Sequence, residues 1–225
     1  GREIPLLWAT PGATPAAAPM PAAAIWSEAL TIGGGLACGT SFDGQQRAFV
    51  WNIAAGAVNF LAGETAVAVA INDVLGTAQG KPAVWAGGAG APAILPGING
   101  IATGVASAAS GPREIVGTVS IPGNPSTCTP FLRRDFRRDE LDPSSTELKP
   151  KLLELPAPET IDLNMLLPPN SGWRLLTANG VNMHGQITGS GTIGGETRAY
   201  RLSPPGFESP LVRFFGLAEI LILFG

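Results

Sequence analysis

Apolar residues fall along this chain in short runs separated by turn residues, and the runs repeat one plan. Four segments share it: a strand of small residues ending in Gly-Thr or Gly-Ser, a polar turn, then a short strand ending in a large residue. The first reads Leu36-Ala37-Cys38-Gly39-Thr40-Ser41, then a turn over 42–46, then Arg47-Ala48-Phe49-Val50-Trp51. The second runs from Ile71 to Gly76-Thr77 and resumes at Lys81-Pro82-Ala83-Val84-Trp85. The third pairs Glu114-Ile115-Val116-Gly117-Thr118-Val119 with Pro130-Phe131-Leu132, and the fourth pairs 180–191 with Arg198-Ala199-Tyr200-Arg201-Leu202. Short apolar runs bounded by Asp43-Gly44 or Gly194-Gly195 spell strands joined by tight hairpin turns.

The marker glycines at 39, 76, 117 and 189 recur at about forty residues once 133–163 is set aside as an insertion, which is the length of one propeller blade. Each of them suits a bulge or a close approach of two backbones. The expectation is an all-β fold in one domain over residues 1–225: a small β-propeller, or a propeller-like array of four to five antiparallel blades.

Three stretches break the pattern. Residues 9–25 are rich in Ala and Pro and read as an extended loop. Residues 133–163 hold nearly half of the charged side chains with mixed signs. That suits a solvated loop or a charge-protected edge strand, or an arm that contacts another subunit. Residues 207–225 are apolar, but Arg213 and Glu219 interrupt them, so membrane association is disfavoured. Their aromatic and β-branched content suits a strand that closes the ring against 4–8 or one that adds to a neighbouring molecule. Phe214, Phe215, Leu217, Ile220, Leu221, Ile222, Leu223 and Phe224 are the candidate self-association residues.

Composition and charge narrow the chemistry. Thirty Gly and 21 Pro fit many turns. Charged residues make up only 14% of the chain, against about 25% in ordinary proteins, so the folded surface is expected to be sticky. A net charge of −3 without a basic face argues against nucleic acid as a partner. His184 is the only histidine and sits in a polar turn, which excludes a multi-histidine metal site within one chain. Asp43 and Asp73 lie at repeat turns, where aspartate bonds to local amides. No calcium loop or phosphate-cradling motif is present, and no metal or cofactor is expected. Cys38 and Cys128 lack metal-ligand spacing; they either close one long-loop disulfide or stay free as small hydrophobes. Trp51 and Trp85 recur at one repeat position, with Phe131 or Leu132 and Tyr200 or Leu202 as counterparts elsewhere. Recurrence points to core packing, with sugar stacking as the functional alternative.

These motifs resemble the bacterial extracellular HAF-repeat family. The likeness is closest at 180–202 and 36–51, looser at 69–85 and faintest at 115–132, and 166–173 resembles the lead-in to such a repeat. Arg47 and Arg198 stand where the family carries His, and Lys81 precedes Pro82. The resemblance implies an extracellular setting, a propeller-like fold and no catalytic residues; the opening Gly1-Arg2-Glu3 fits a processed mature chain. The expected function is a secreted, non-enzymatic structural or interaction protein that self-associates into a surface layer, matrix or filament. A module binding glycans or a cell-surface protein is the alternative, and a secreted hydrolase the third reading.

Overall fold

The computed structural model describes residues 2–70, 72–98, 101, 103–110, 114–134, 159–182 and 184–203. Apart from two short 3-10 turns the described chain is all-β, as the alternation of short runs and turns implies. Four antiparallel sheets follow one another in sequence. The first holds β3 (Trp26–Gly33), β4 (Leu36–Phe42), β5 (Gln46–Asn52) and β6 (Ala57–Phe60). The second holds β7 (Thr65–Ala70), β8 (Asp73–Ala78), β9 (Lys81–Trp85) and β10 (Ala93–Ile94). The third holds β11 (Gly104–Ser110), β12 (Glu114–Ile121), β13 (Asn124–Arg134) and β14 (Glu159–Asp162). The fourth holds β15 (Trp173–Val181), β16 (Ile187–Ile193) and β17 (Glu196–Leu202). Each strand pairs with its successor, and before the sheets comes a small hairpin of β1 (Leu6–Leu7) and β2 (Ala16–Ala17). The Ala/Pro-rich stretch therefore contains a short strand. The charged stretch is anchored in the third sheet at both ends, while its interior, 135–158, lies outside the described residues, as does the whole of 207–225.

The marker glycines show why the sheets are alike. Gly39, Gly76, Gly117 and Gly189 sit on second strands, opposite Ala29, Ala66, Ala106 and Ala178 on first strands. After each alanine the first strand bulges by one residue: Leu30, Val67, Ser107 and Asn179. The bulge swings the carbonyl before the alanine toward the glycine. A Cβ on the four glycines would fall on the carbonyl oxygens of Glu28, Thr65, Val105 and Thr177 respectively, well inside contact distance. Only a residue without a side chain fits there. On the other flank of the glycine the third strand places Phe49, Ala83, Phe131 or Tyr200 in register.

Alternation along the strands gives the first three sheets two apolar faces and the fourth one, and successive sheets pack through them. Cys38, Ala48 and Val50 of the first sheet meet Val74, Ala83 and Trp85 of the second. Leu75 of the second meets Ile115, Val119 and Phe131 of the third. Val116 and Leu132 of the third meet Leu175, Ile187, Tyr200 and Leu202 of the fourth. Trp85, Phe131 and Leu75 are essentially fully buried. Each such side chain contributes roughly 1.5–3 kcal/mol of hydrophobic stabilisation.

The two ends of the stack differ. The outward face of the first sheet, with Ala37, Phe49 and Trp51, is covered by Ala18, Met20 and Ala24 from the N-terminal stretch. Arg2 ties that cover down through the carbonyls of Ala24, Met20 and Pro21. On the outward face of the fourth sheet, Thr188 and Arg201 occupy the positions held by Cys38 and Val50, Leu75 and Val84, and Val116 and Leu132. Among the described residues no apolar cluster joins the fourth sheet to the first.

Gly76→Ala and Gly117→Ala should each lower unfolding free energy by about 3 kcal/mol, the upper range for forcing atoms into a packed site. Gly33→Ala is the control, because its Cβ would meet Val69 O at an ordinary 3.7 Å and its backbone is not left-handed. It should change stability by no more than about 0.5 kcal/mol. Urea titration of the three variants measures the contrast.

Candidate functional site

Polar groups of the repeat cluster at the seams between sheets, and most of them have structural partners. The residue after each marker glycine is Thr40, Thr77, Thr118 or Ser190. Thr77 Oγ1 donates to Gly104 O of the third sheet at 3.1 Å. Thr118 Oγ1 accepts from the backbone N–H of Ala178 in the fourth sheet at 3.2 Å. The hydroxyl of one sheet thus stitches the first strand of the next. Ser190 turns inward instead and pairs with Thr177 Oγ1 of its own sheet at 2.8 Å.

Asn164 makes a second kind of clasp. It lies in the 3-10 turn Leu163–Leu166, whose first amides are capped by the Asp162 carboxylate at 2.8 Å. Its side chain accepts from Leu175 N at 2.7 Å and donates to Leu175 O at 3.2 Å, so both backbone groups of that first-strand residue are satisfied. Neither Asn164 nor the threonine stitches were singled out from the sequence. Aligning the repeats on their glycines gives Thr, Thr, Thr, Ser at the next position, and that was the available signal.

The residues singled out from the sequence fall into distinct places. Trp51 pairs with Ala37 and Trp85 with Val74, two register positions beyond the marker glycine and on the same face. Leu202, opposite Ile187, shares that position, whereas Phe131 and Tyr200 lie directly opposite Gly117 and Gly189. All five large residues are buried in seams or under the N-terminal cover. Tyr200 donates its hydroxyl to Thr177 O at 2.7 Å, and burial raises its pKa well above the usual tyrosine range. The candidate self-association residues Phe214, Phe215, Leu217, Ile220, Leu221, Ile222, Leu223 and Phe224 lie outside the described residues.

The disulfide considered from the sequence is not formed: Cys38 and Cys128 are both free thiols. Cys38 is sealed in the seam between the first and second sheets, while Cys128 belongs to β13 of the third. Burial pushes the Cys38 thiol up to about 12. His184 is exposed in a turn whose N–H groups at 184 and 186 are held by Asn182 Oδ1, each at 3.0 Å. The two turn aspartates bond to backbone, Asp43 to Gln45 N at 3.3 Å and Asp73 to Gly87 N at 2.9 Å. Asp43 also pairs with Arg47 at 3.4 Å. Among the described residues no group of three His, Cys, Asp or Glu converges as a metal ion would require, and no helix is long and apolar enough to cross a membrane.

Two surface features remain. Trp26 and Phe42 stack with ring centroids 5.9 Å apart at the edge of the first sheet, next to the Asp43–Arg47 pair. The other is the outer edge of β17, which has no neighbouring strand among the described residues. The fold defines an all-β repeat protein of stacked antiparallel sheets. Comparison with known proteins gives no match to a family model, a curated protein or a solved structure.

Thr77→Val and Thr118→Val should each cost about 1–2 kcal/mol, because each leaves a seam backbone group without its partner. Chemical unfolding reads both. Alkaline pH tests the Cys38 seam. The folded thiol holds its proton above the ordinary value of 9.0, so its contribution is complete below pH 9 and drains away as pH rises toward 12. Cys38→Ala should flatten the loss of stability across that window, and at pH 8 iodoacetamide should label Cys128 while sparing Cys38 in the folded protein.

Proposed function

We propose that this chain is a secreted, non-enzymatic scaffold of propeller-blade-like units that associates with copies of itself in an extracellular layer, matrix or filament. The observation that carries the reading is where the repeat spends its polar groups. The threonine hydroxyls, Asn164, the turn aspartates and the Tyr200 hydroxyl all bond to backbone within or between sheets. Groups held in this way position backbone and are not presented to a substrate. The resemblance to HAF repeats and the antiparallel meanders recurring at the marker glycines, three of them four-stranded, support the blade-like reading. The low charge and the exposed apolar side chains of Trp8, Ile25, Leu30 and Ile32 support a sticky surface. The apolar segment 207–225 is the proposed self-association element.

A second reading has one specific observation behind it. The stacked Trp26–Phe42 pair beside Asp43 and Arg47 combines an aromatic face with charged hydrogen-bonding groups, the components of a sugar-binding platform. Glycan binding abolished by Trp26→Ala would favour it.

Sedimentation of the full chain over a wide concentration range tests the first reading, with electron microscopy of concentrated samples alongside it. Mass rising with concentration and ordered polymers are expected. Removing 207–225 should leave a monomer with unchanged far-ultraviolet circular dichroism. A full chain that stays monomeric at every concentration sinks the reading.

A further inference from the structure

In the first three sheets a fourth strand, β6, β10 or β14, covers the outer side of the third strand; among the described residues the fourth sheet has none. Among the described residues, the seven residues of β17 therefore form an open outer edge. The repeat register shows which backbone groups face outward. Ala48 precedes the aromatic residue opposite Gly39. It donates its N–H to Gly63 O and accepts from Leu61 N, both at 2.9 Å, on the outer side of β5. Pro82 holds that position in the second sheet and accepts from Leu95 N at 2.8 Å. Pro130 holds it in the third sheet and Ala199 in the fourth. Ala199, and by alternation Arg201, thus turn their N–H and C=O groups to the open side.

Proline at 82 and 130 withholds a donor from the outer edge, a device that discourages wrong pairing. Ala199 keeps its donor. β17 also pairs with β16 through every residue from Glu196 to Leu202 without a bulge, so its edge is regular. An uninterrupted edge with open donors and acceptors is a template for one more strand.

We propose that the outer edge of β17 accepts a strand from a second copy of this chain, donated by that copy's apolar segment 207–225. This inference rests on the self-association reading and adds the place where the contact forms. The segment is rich in β-branched and aromatic residues and carries no proline after Pro210, so each later residue can give a ladder hydrogen bond. The sequence between β17 and the apolar run favours a neighbour as acceptor. Pro204, Pro205 and Pro210 lie there, and proline-rich sequence prefers an extended backbone, about 3.1 Å per residue, over a tight hairpin. Donation of this segment to another copy's edge would be a head-to-tail contact, which generates a chain of molecules when the rotation does not close.

The test uses full-length chains. Ala199→Pro places proline where the second and third sheets already carry it, so the fold is expected to persist while the acceptor edge loses its donor. Ile220→Pro combined with Ile222→Pro disables the donor and leaves the edge intact. In sedimentation both variants should stay monomeric at concentrations where the unaltered chain assembles, and an equimolar mixture should form a dimer and nothing larger. Hydrogen exchange reads the same contact without substitution: the amides of Ala199 and Arg201 should slow at least tenfold as the unaltered protein assembles. Assembly by Ala199→Pro equal to that of the unaltered chain would overturn the β17 acceptor while leaving self-association standing. A monomeric unaltered chain with slow amides at 199 and 201 would mean that its own segment fills the edge, and both inferences would fall. A monomer with fast amides there would also overturn both.

Discussion

One carbonyl oxygen per sheet sets the architecture. The bulge in each first strand drives the oxygen of Glu28, Thr65, Val105 or Thr177 into the space that a side chain would need at Gly39, Gly76, Gly117 or Gly189. A bulge bends its strand and increases the local twist, and the alanine before it keeps the crowded site small. The glycine also leaves room on its other flank. In the third and fourth sheets the ring of Phe131 and the hydroxyl of Tyr200 occupy the space where a Cβ would stand. Removing one side chain therefore admits two neighbours, a bent backbone and a large residue. The backbone half of this exchange recurs in all four sheets, so their first and second strands pair on one plan.

The stacking has a direction. Each of the last three sheets gives its glycine–aromatic face to the sheet before it, and each of the first three gives its opposite face to the sheet after it. The threonine after the glycine points the same way along the chain, from Thr77 to Gly104 and from Thr118 to Ala178. A directional stack of repeats must deal with its two unlike ends. At the start, small side chains of the N-terminal stretch stand where a preceding sheet would, against Phe49 and Trp51. At the finish, Thr188 and Arg201 replace the apolar pairs that receive a following sheet, and Ser190 bonds within its own sheet. Face-to-face addition is blocked at one end by cover and at the other by polarity, which leaves strand edges as the route to larger assemblies.

The strand plan was legible because the marker glycines and the hairpin turns are local signals. Gly194-Gly195 reads as a two-residue turn, and both residues adopt the positive φ that such a turn needs. The long-range part was less legible. Trp51 and Trp85 look equivalent to Phe131 and Tyr200 as the large residues ending the third strand, yet the ladders put them two positions apart, and Phe49 is the residue facing Gly39. A two-residue difference leaves the side chain on the same face, so only the pairing register reveals it. The two cysteines illustrate the same limit: nothing local reveals that a whole sheet lies between their positions. Asn164 was hidden for another reason, since its partner Leu175 lies eleven residues away across a seam between sheets. The polar end face was visible in principle, because Thr188 and Arg201 break the pattern once the repeats are aligned on their glycines.

The same alignment separates edges that are finished from the edge that is not. Two constraints act on the residue before the one opposite the marker glycine. Its side chain points into the seam with the following sheet, and its backbone groups point to the outer edge. Proline meets both in the second and third sheets: the rings of Pro82 and Pro130 are fully buried in the packing, and the missing N–H protects an edge covered by only a short strand. Alanine at 48 meets them differently, since its N–H is consumed by Gly63 O. At 199 no following sheet among the described residues is packed against the side chain, which is exposed, so packing does not call for proline. Relief from packing on the face therefore coincides with an open donor on the edge. A sheet that ends a stack by becoming polar on its face loses, at the same residue, the proline that would have protected its edge. That coupling of face to edge is the physical basis for proposing strand addition at the last sheet and not at the inner ones.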